Sequence, residues 1–439
     1  MAACARSVES SPRPSELVER IWARDASVWT GGDEASWLGW LDEPSRMGER
    51  LDELAALPTD WDDVVLLGMG GSSLAPEVLR RSFAVEGFRV LDTTHPAAIR
   101  RLESEVDVER TLFVSASKSG TTLETRSHTD YFADRSGRFL AITDPGSQLE
   151  EWARDRGFPA VLGEPTIGGR YSALSPFGLV PAALMGLDVR RLLDRAGEMA
   201  EACRLGEGNP GLELGLELAE IPFLRVEGDF GLWVEQLVAE STGKEGKGIV
   251  PVWAGGEPIE TRLPDPYELG QEFFRWEFAT AVVGALLGIN PFDQPNVQAA
   301  KDRTSAVLER GGEVELPAEG DLDELLASVP EGGYVFVQAF VDPEREDELR
   351  PLLDRAEAAG RPVGRGLGPR YLHSTGQLHK GGPDSGVFVQ VVDETGEELP
   401  IPGREFGFGK LIRAQAAGDF EALRERGRRI ARVHLEEIA

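Results

Sequence analysis

Val64-Val65-Leu66-Leu67-Gly68-Met69-Gly70-Gly71-Ser72-Ser73 is the stretch whose reading decides the fold. Four apolar residues make a short buried strand, and a Gly/Ser-rich loop leads from it into a helical pattern through Arg80 to Phe83. The same grammar repeats. Phe88–Leu91 reads as a second strand, and Leu112–Val114 as a third, followed by the hydroxyl-rich loop Ser115–Thr122 and a helix through Phe132. Phe139–Ile142 is a fourth. Strands alternating with helices at this spacing predict an α/β fold with a parallel sheet covered on both faces.

Upstream, residues 1 to about 15 read as a frayed tail, and Glu16–Leu57 as a helical preface with Leu17, Ile21, Trp22, Trp37, Trp40, Leu41 and Leu51 on its apolar faces. Downstream, helices dominate from Leu174 to about Leu218. A second α/β region then starts near Ile221, with strands at Tyr334–Phe340 and Val387–Val392. Its helices are read at Trp233–Glu240, Leu269–Leu287 and Pro295–Glu309, with an acidic surface loop over Arg310–Leu322. The expected division is a helical extension over 1–60, a first α/β domain over 61–220 and a second over 221–439.

The chain has 439 residues, 41% hydrophobic and 28% charged, which excludes a mainly disordered, fibrous or membrane-embedded protein. The apolar run Ala279–Ile289 is too short to cross a bilayer, which takes about 20 residues. Its 46 basic and 76 acidic residues leave a formal charge of −30, which repels nucleic-acid phosphates and anionic lipid. Neither partner is expected. Cys4 and Cys203 stand apart from any Cys/His cluster, so neither a metal site nor a disulfide framework is implied, and a reducing cytoplasm fits. The start of the chain has no apolar core of a secretory signal.

Two loops carry the first functional hint. A loop that opens a helix offers unpaired N–H groups and the positive end of the helix dipole, both suited to an anion. In the first, Gly71 lets the backbone approach closely and Ser72 adds a hydroxyl. The second is Ser117-Lys118-Ser119-Gly120-Thr121-Thr122, with four hydroxyls and one cation in six residues, donors enough for a phosphate monoester. Either loop alone could be a tight turn or an ordinary Ser/Thr cap. Two at one edge of one parallel sheet point to a shared phosphate site. A dinucleotide fold, with Asp92 on the ribose, would need Gly or Ala at Ser73, and no Walker A pattern suggests ATP.

The pair GMGGSS and SKSGTTLET resembles the sugar-isomerase (SIS) fold. Three further motifs narrow the resemblance to the glucose-6-phosphate isomerase family: Gly168-Gly169-Arg170-Tyr171-Ser172, the run from Gln236 through Glu240 to Lys244, and the run from Asn290 through Gln294 to Lys301. The segments Arg20–Trp29 and Phe408–Asp419 further resemble the isomerase half of fused transaldolase/glucose-6-phosphate isomerases. The resemblance implies two SIS-type doubly wound domains, a sugar-phosphate substrate, a homodimer, and no cofactor or metal.

It also implies an aldose–ketose isomerisation, with a dual phosphoglucose/phosphomannose isomerase and a non-catalytic sugar-phosphate sensor as alternatives. Glu240 matches the base that moves a proton between C1 and C2. Arg170 matches the cation beside the developing oxyanion, and Gln236 and Gln294 match substrate contacts. Lys301 matches the lysine near the ring oxygen. Family members place a ring-opening histidine between the base and that lysine, across the subunit interface. No histidine lies between Glu240 and Lys301 here, but Leu372-His373-Ser374-Thr375-Gly376-Gln377 resembles its context. His373 is therefore expected to open the ring, with His379 as the rival and a second substrate contact.

Overall fold

The computed structural model describes residues 14–438 apart from 260, 262 and 311. The expected frayed tail and Cys4 lie almost wholly outside the described residues. The first sheet comprises β1 (Asp63–Leu67), β2 (Phe88–Leu91), β3 (Thr111–Ala116), β4 (Phe139–Thr143) and β5 (Ala160–Leu162). Its order is β2-β1-β3-β4-β5, and every pairing is parallel. Side chains alternate faces along a strand. Val64, Leu66, Leu112 and Val114 therefore pack into one core with Leu17, Trp40 and Phe274, while Val65, Leu67 and Phe113 pack into another with Trp152 and Leu411. A strand buried on both faces is why β1 reads as a continuous apolar run.

The second half holds two parallel sheets. β6 (Phe223–Val226), β7 (Val250–Pro251) and β8 (Glu257–Ile259) run in the order β7-β6-β8. β9 (Tyr334–Phe340), β10 (Val363–Leu367), β11 (Gly386–Val392) and β12 (Arg429–His434) run in the order β10-β9-β11-β12. The sheets touch where the backbones of Trp253 and Ala254 meet Val363. Among the described residues no helix is long and apolar enough to cross a membrane.

Two expectations are corrected. The preface is shorter in helix than its pattern suggested: Pro14–Trp22, Glu43–Glu49 and Leu51–Ala55 are α-helical, with 3-10 turns between Ala26 and Leu41. The helix expected from Pro295 starts at Gln298. In the turn that precedes it Asn296 gives its N–H to Gln377 Oε1 at 2.9 Å, and upstream Arg170 and Lys244 bind the carbonyl groups of Asn290, Pro291 and Asp293.

Candidate active site

In the first sheet the strand order reverses between β1 and β3, and an open α/β sheet forms its ligand crevice outside the carboxyl ends of such a pair. The loop after β1 enters a 3-10 turn, Gly70–Ser72, and then the helix Leu74–Ser82. The loop after β3 ends at Thr122, the residue that precedes the helix Leu123–Ala133. Both helix starts face a cleft of about 510 Å³ lined by Ser72, Lys118, Ser119, Thr122, Arg170, Gln236, Glu240, Gln294, Lys301 and His373, among others. Gly71 makes the close packing possible. A Cβ there would sit 2.1 Å from the carbonyl oxygen of Gly169, so the turn carrying Arg170 lies directly on the β1 loop.

Not every expected hydroxyl faces the cleft. Ser117 is buried, and its Oγ lies 3.1 Å from Thr122 Oγ1 and accepts from Gly120 N at 3.2 Å, so it braces the loop. Thr121 hydrogen-bonds Ser119 at 2.8 Å and lines a neighbouring cavity of about 280 Å³. Lys118 donates to Asp144 at 2.7 Å and to the Glu164 carbonyl at 3.1 Å, leaving one of its three N–H groups. Asp92 pairs with Arg370 at 3.6 Å.

The helix Gly231–Thr242 brings Gln236 and Glu240 to one face, four residues apart. Glu240 Oε1 accepts from Arg170 Nη1 at 3.1 Å, and Oε2 from Gln236 Nε2 at 2.9 Å. The same Gln236 nitrogen donates to the carbonyl of His373 at 2.8 Å. Arg170 also donates to Ser241 Oγ at 2.8 Å and to the Pro291 and Asp293 carbonyls at 2.6 and 2.9 Å. Four of its five N–H groups are thereby engaged and the guanidinium is fixed, with one N–H left on Nη1. Lys244, four residues past Glu240, binds Asp293. Burial, and then the charge of Arg170, bring its ammonium down to about 7.

His373 ends the 3-10 turn Arg370–His373 that follows β10. The turn belongs to the same chain as Glu240, and both residues line the same cleft. His373 Nε2 lies 2.8 Å from Glu124 Oε1. Burial opposes the charge of Glu124, but the His373 imidazole, their hydrogen bond and Lys301 outweigh it and hold the carboxyl at about 2. Glu124 went unread in the sequence, where an acid in the first turn of a helix passes as a complement to its dipole. Lys301 stands exposed where the two cavities meet.

His379 does not reach the cleft. It is buried against Phe336 and Phe388, with ring centroids 4.1 and 5.1 Å away, and its Nδ1 lies 3.2 Å from Gln338. Burial, then the charges of Lys380 and Arg428, push its pKa well below the usual imidazole value. It sits six residues beyond His373, on the helix Gly376–Gly381, which turns it into the core.

Residues 57–206 match the family model for phosphoglucose isomerase. Over part of its length the chain is similar to glucose-6-phosphate isomerases. It is 30% identical to the glucose-6-phosphate isomerase of Nostoc sp. over 278 residues, 56% of this chain and 53% of that protein. It is 36% identical to the one from Thermus thermophilus over 200 residues, 42% of this chain and 48% of that protein. The chain thus spans about half the length of these curated relatives. A solved structure of a glucose-6-phosphate isomerase from Chlamydia trachomatis shares the fold, with a TM-score of 0.50 at 18% identity over 70% of this chain and 80% of that one. Over the stretch matched to the phosphoglucose isomerase model lie both hydroxyl-bearing loops, Glu124 and Arg170; Glu240, Lys301 and His373 lie beyond it.

Proposed function

We propose that this chain interconverts glucose 6-phosphate and fructose 6-phosphate by moving a proton between C1 and C2 through a cis-enediolate. The observation that carries the reading is Glu240. A single carboxylate is held by a fixed guanidinium on one oxygen and an amide on the other, in a cleft that also holds two hydroxyl-bearing helix starts.

The chemistry follows from what each group has free. The phosphate docks at the starts of the helices Leu74–Ser82 and Leu123–Ala133, with Ser72, Ser119 and Thr122 as donors and Lys118 adding charge. His373 has Nε2 committed to Glu124, so Nδ1 is the atom that passes a proton between the ring oxygen and the anomeric hydroxyl, with Lys301 beside it. On the open chain Glu240 removes the proton from one carbon and returns it to the other. The spare N–H of Arg170 meets the oxyanion as it forms, and costs no rearrangement because its neighbours already hold the guanidinium.

The test is a coupled assay of fructose 6-phosphate formation from glucose 6-phosphate, with mannose 6-phosphate alongside. Turnover of glucose 6-phosphate supports the reading. Turnover of both widens it to C2 epimers. Tight binding of the sugar phosphate without turnover replaces it with a sensor.

A further inference from the structure

The C-terminal helix Phe408–Glu425 contributes nothing to the lining of the cleft, yet two of its residues hold the His373 turn from different sides. Gln415 Nε2 donates at 2.6 Å to Glu124 Oε1, the same oxygen that meets His373 Nε2. The amide is itself oriented, because Thr94 Oγ1 donates to Gln415 Oε1 at 2.7 Å. One helical turn on, Asp419 accepts from the Tyr371 hydroxyl at 2.7 Å and pairs with Lys380 at 2.5 Å. Tyr371 and Lys380 flank His373 in sequence, so Asp419 pins the backbone on both sides of the imidazole.

Thr94, Gln415, Asp419, Tyr371 and Lys380 are all buried. An ion pair taken out of water costs desolvation that its own attraction often fails to return, so net stability is a poor account of the Lys380–Asp419 pair. Placement is a better one. Proton transfer demands an imidazole within hydrogen-bond reach of two substrate oxygens, and small displacements are costly. Glu124 can hold the ring in one orientation only if its own carboxylate is held.

We propose that the helix Phe408–Glu425 positions the ring-opening histidine: Gln415 fixes the imidazole through Glu124, and Asp419 fixes the turn through Tyr371 and Lys380. The inference rests on the ring-opening role that the isomerase reading gives His373. It makes Gln415 and Asp419 positioning residues that never touch substrate.

Ring opening is readable by itself, because opening and closing interconverts the α and β anomers of glucose 6-phosphate without Glu240. Saturation-transfer NMR of the anomers measures it. Gln415→Met keeps the size and removes the donor. Anomer exchange should fall about 10–100-fold, as when an outer partner of a working group is removed, with KM for glucose 6-phosphate unchanged. Ring opening then limits turnover, so the isotope effect from C2-deuterated substrate should shrink towards one. A loosened fold would slow both steps together and leave the isotope effect in place. Thr94→Val frees the Gln415 amide from the other end and should show the same selective loss. It decides the matter if Gln415→Met does not fold. Equal loss in both steps, or anomer exchange at the wild-type rate, overturns the proposal. Wild-type protein that exchanges anomers but forms no fructose 6-phosphate overturns the isomerase reading and leaves this one standing. Wild-type protein that does neither overturns both.

Discussion

Replacing Gly71 by alanine adds one methyl group at the tightest backbone contact of the cleft. Gly71 has no left-handed backbone angle, so alanine is permitted there on conformational grounds and only space is lacking. The new Cβ would lie 2.1 Å from Gly169 O, 2.3 Å from Gly169 C and 2.9 Å from Arg170 N. All three are backbone atoms, so no side chain can swing aside. Bringing the shortest contact out to 3.0 Å needs a shift of about 0.9 Å. That shift falls on the turn Gly169–Tyr171, and hence on the guanidinium bound to Glu240. A misplacement of about 1 Å at a reacting group costs about 10²-fold in rate. Overpacking of this kind also destabilises by about 1–3 kcal/mol. The expected result is a kcat for glucose 6-phosphate down about 10²-fold and a lower melting temperature. Gly169→Ala, whose Cβ would meet nothing within 4 Å, is the stability control. Turnover within about threefold of wild type, less than ~1 kcal/mol of barrier, would refute the idea that this backbone contact sets the position of Arg170.

Glu240→Gln should retain sugar-phosphate binding but lose about 10²–10⁴-fold in turnover, with deuterium uptake at C2 from solvent falling in step. His379→Phe replaces a buried imidazole with a ring suited to its neighbours Phe336 and Phe388; steady-state assays should find kcat unchanged, and a large loss would return His379 to the site. Burial, only partly offset by Arg46 and Arg50, pushes the Glu43 carboxyl up to about 7 from 4.5. Its folded value lies above its unfolded one, so its stabilisation is whole below pH 4.5 and lost as pH rises through 7, on the order of 3 kcal/mol. Glu43→Gln should flatten the fall in melting temperature between pH 5 and 8, measured by calorimetry; an unchanged slope would show that Glu43 is not its source.

Most of the strands legible in sequence are buried on both faces, though the edge strand β2, with two half-buried residues, was legible as well. β1, β3, β9 and β11 lie inside their sheets and read as apolar runs. β10 (Val-Gly-Arg-Gly-Leu) and β12 (Arg-Ile-Ala-Arg-Val-His) are edge strands whose arginines and glycines break the pattern, and β5, β7 and β8 are two or three residues long. Neither kind leaves a period to read. In the site, Glu240 and Gln236 were singled out by the run from Gln236 to Lys244 and its resemblance to a family motif, and their spacing of four puts both on one face of the helix. Gln415 was not, because its partners Thr94 and Glu124 lie 321 and 291 residues away and nothing local marks it. Which of His373 and His379 meets the cleft needed the fold as well, since it depends on which way the helix Gly376–Gly381 turns His379.

The two chemical roles in the cleft differ in how far the chain must travel to assemble them. Arg170 and Glu240 are separated by 70 residues, and both lie on elements that pack around the first core. His373 meets Glu124 across 249 residues, and the same Glu124 oxygen also accepts from Gln415 of the C-terminal helix, 291 residues away. Contacts of such separation must wait for loop closure, and chains rich in them fold slowly. On the proposed roles, a refolding experiment should therefore find the base and its cation assembled before the ring-opening machinery. The recovering protein would pass through a stage able to exchange a proton on an open-chain sugar phosphate but still unable to act on the closed ring.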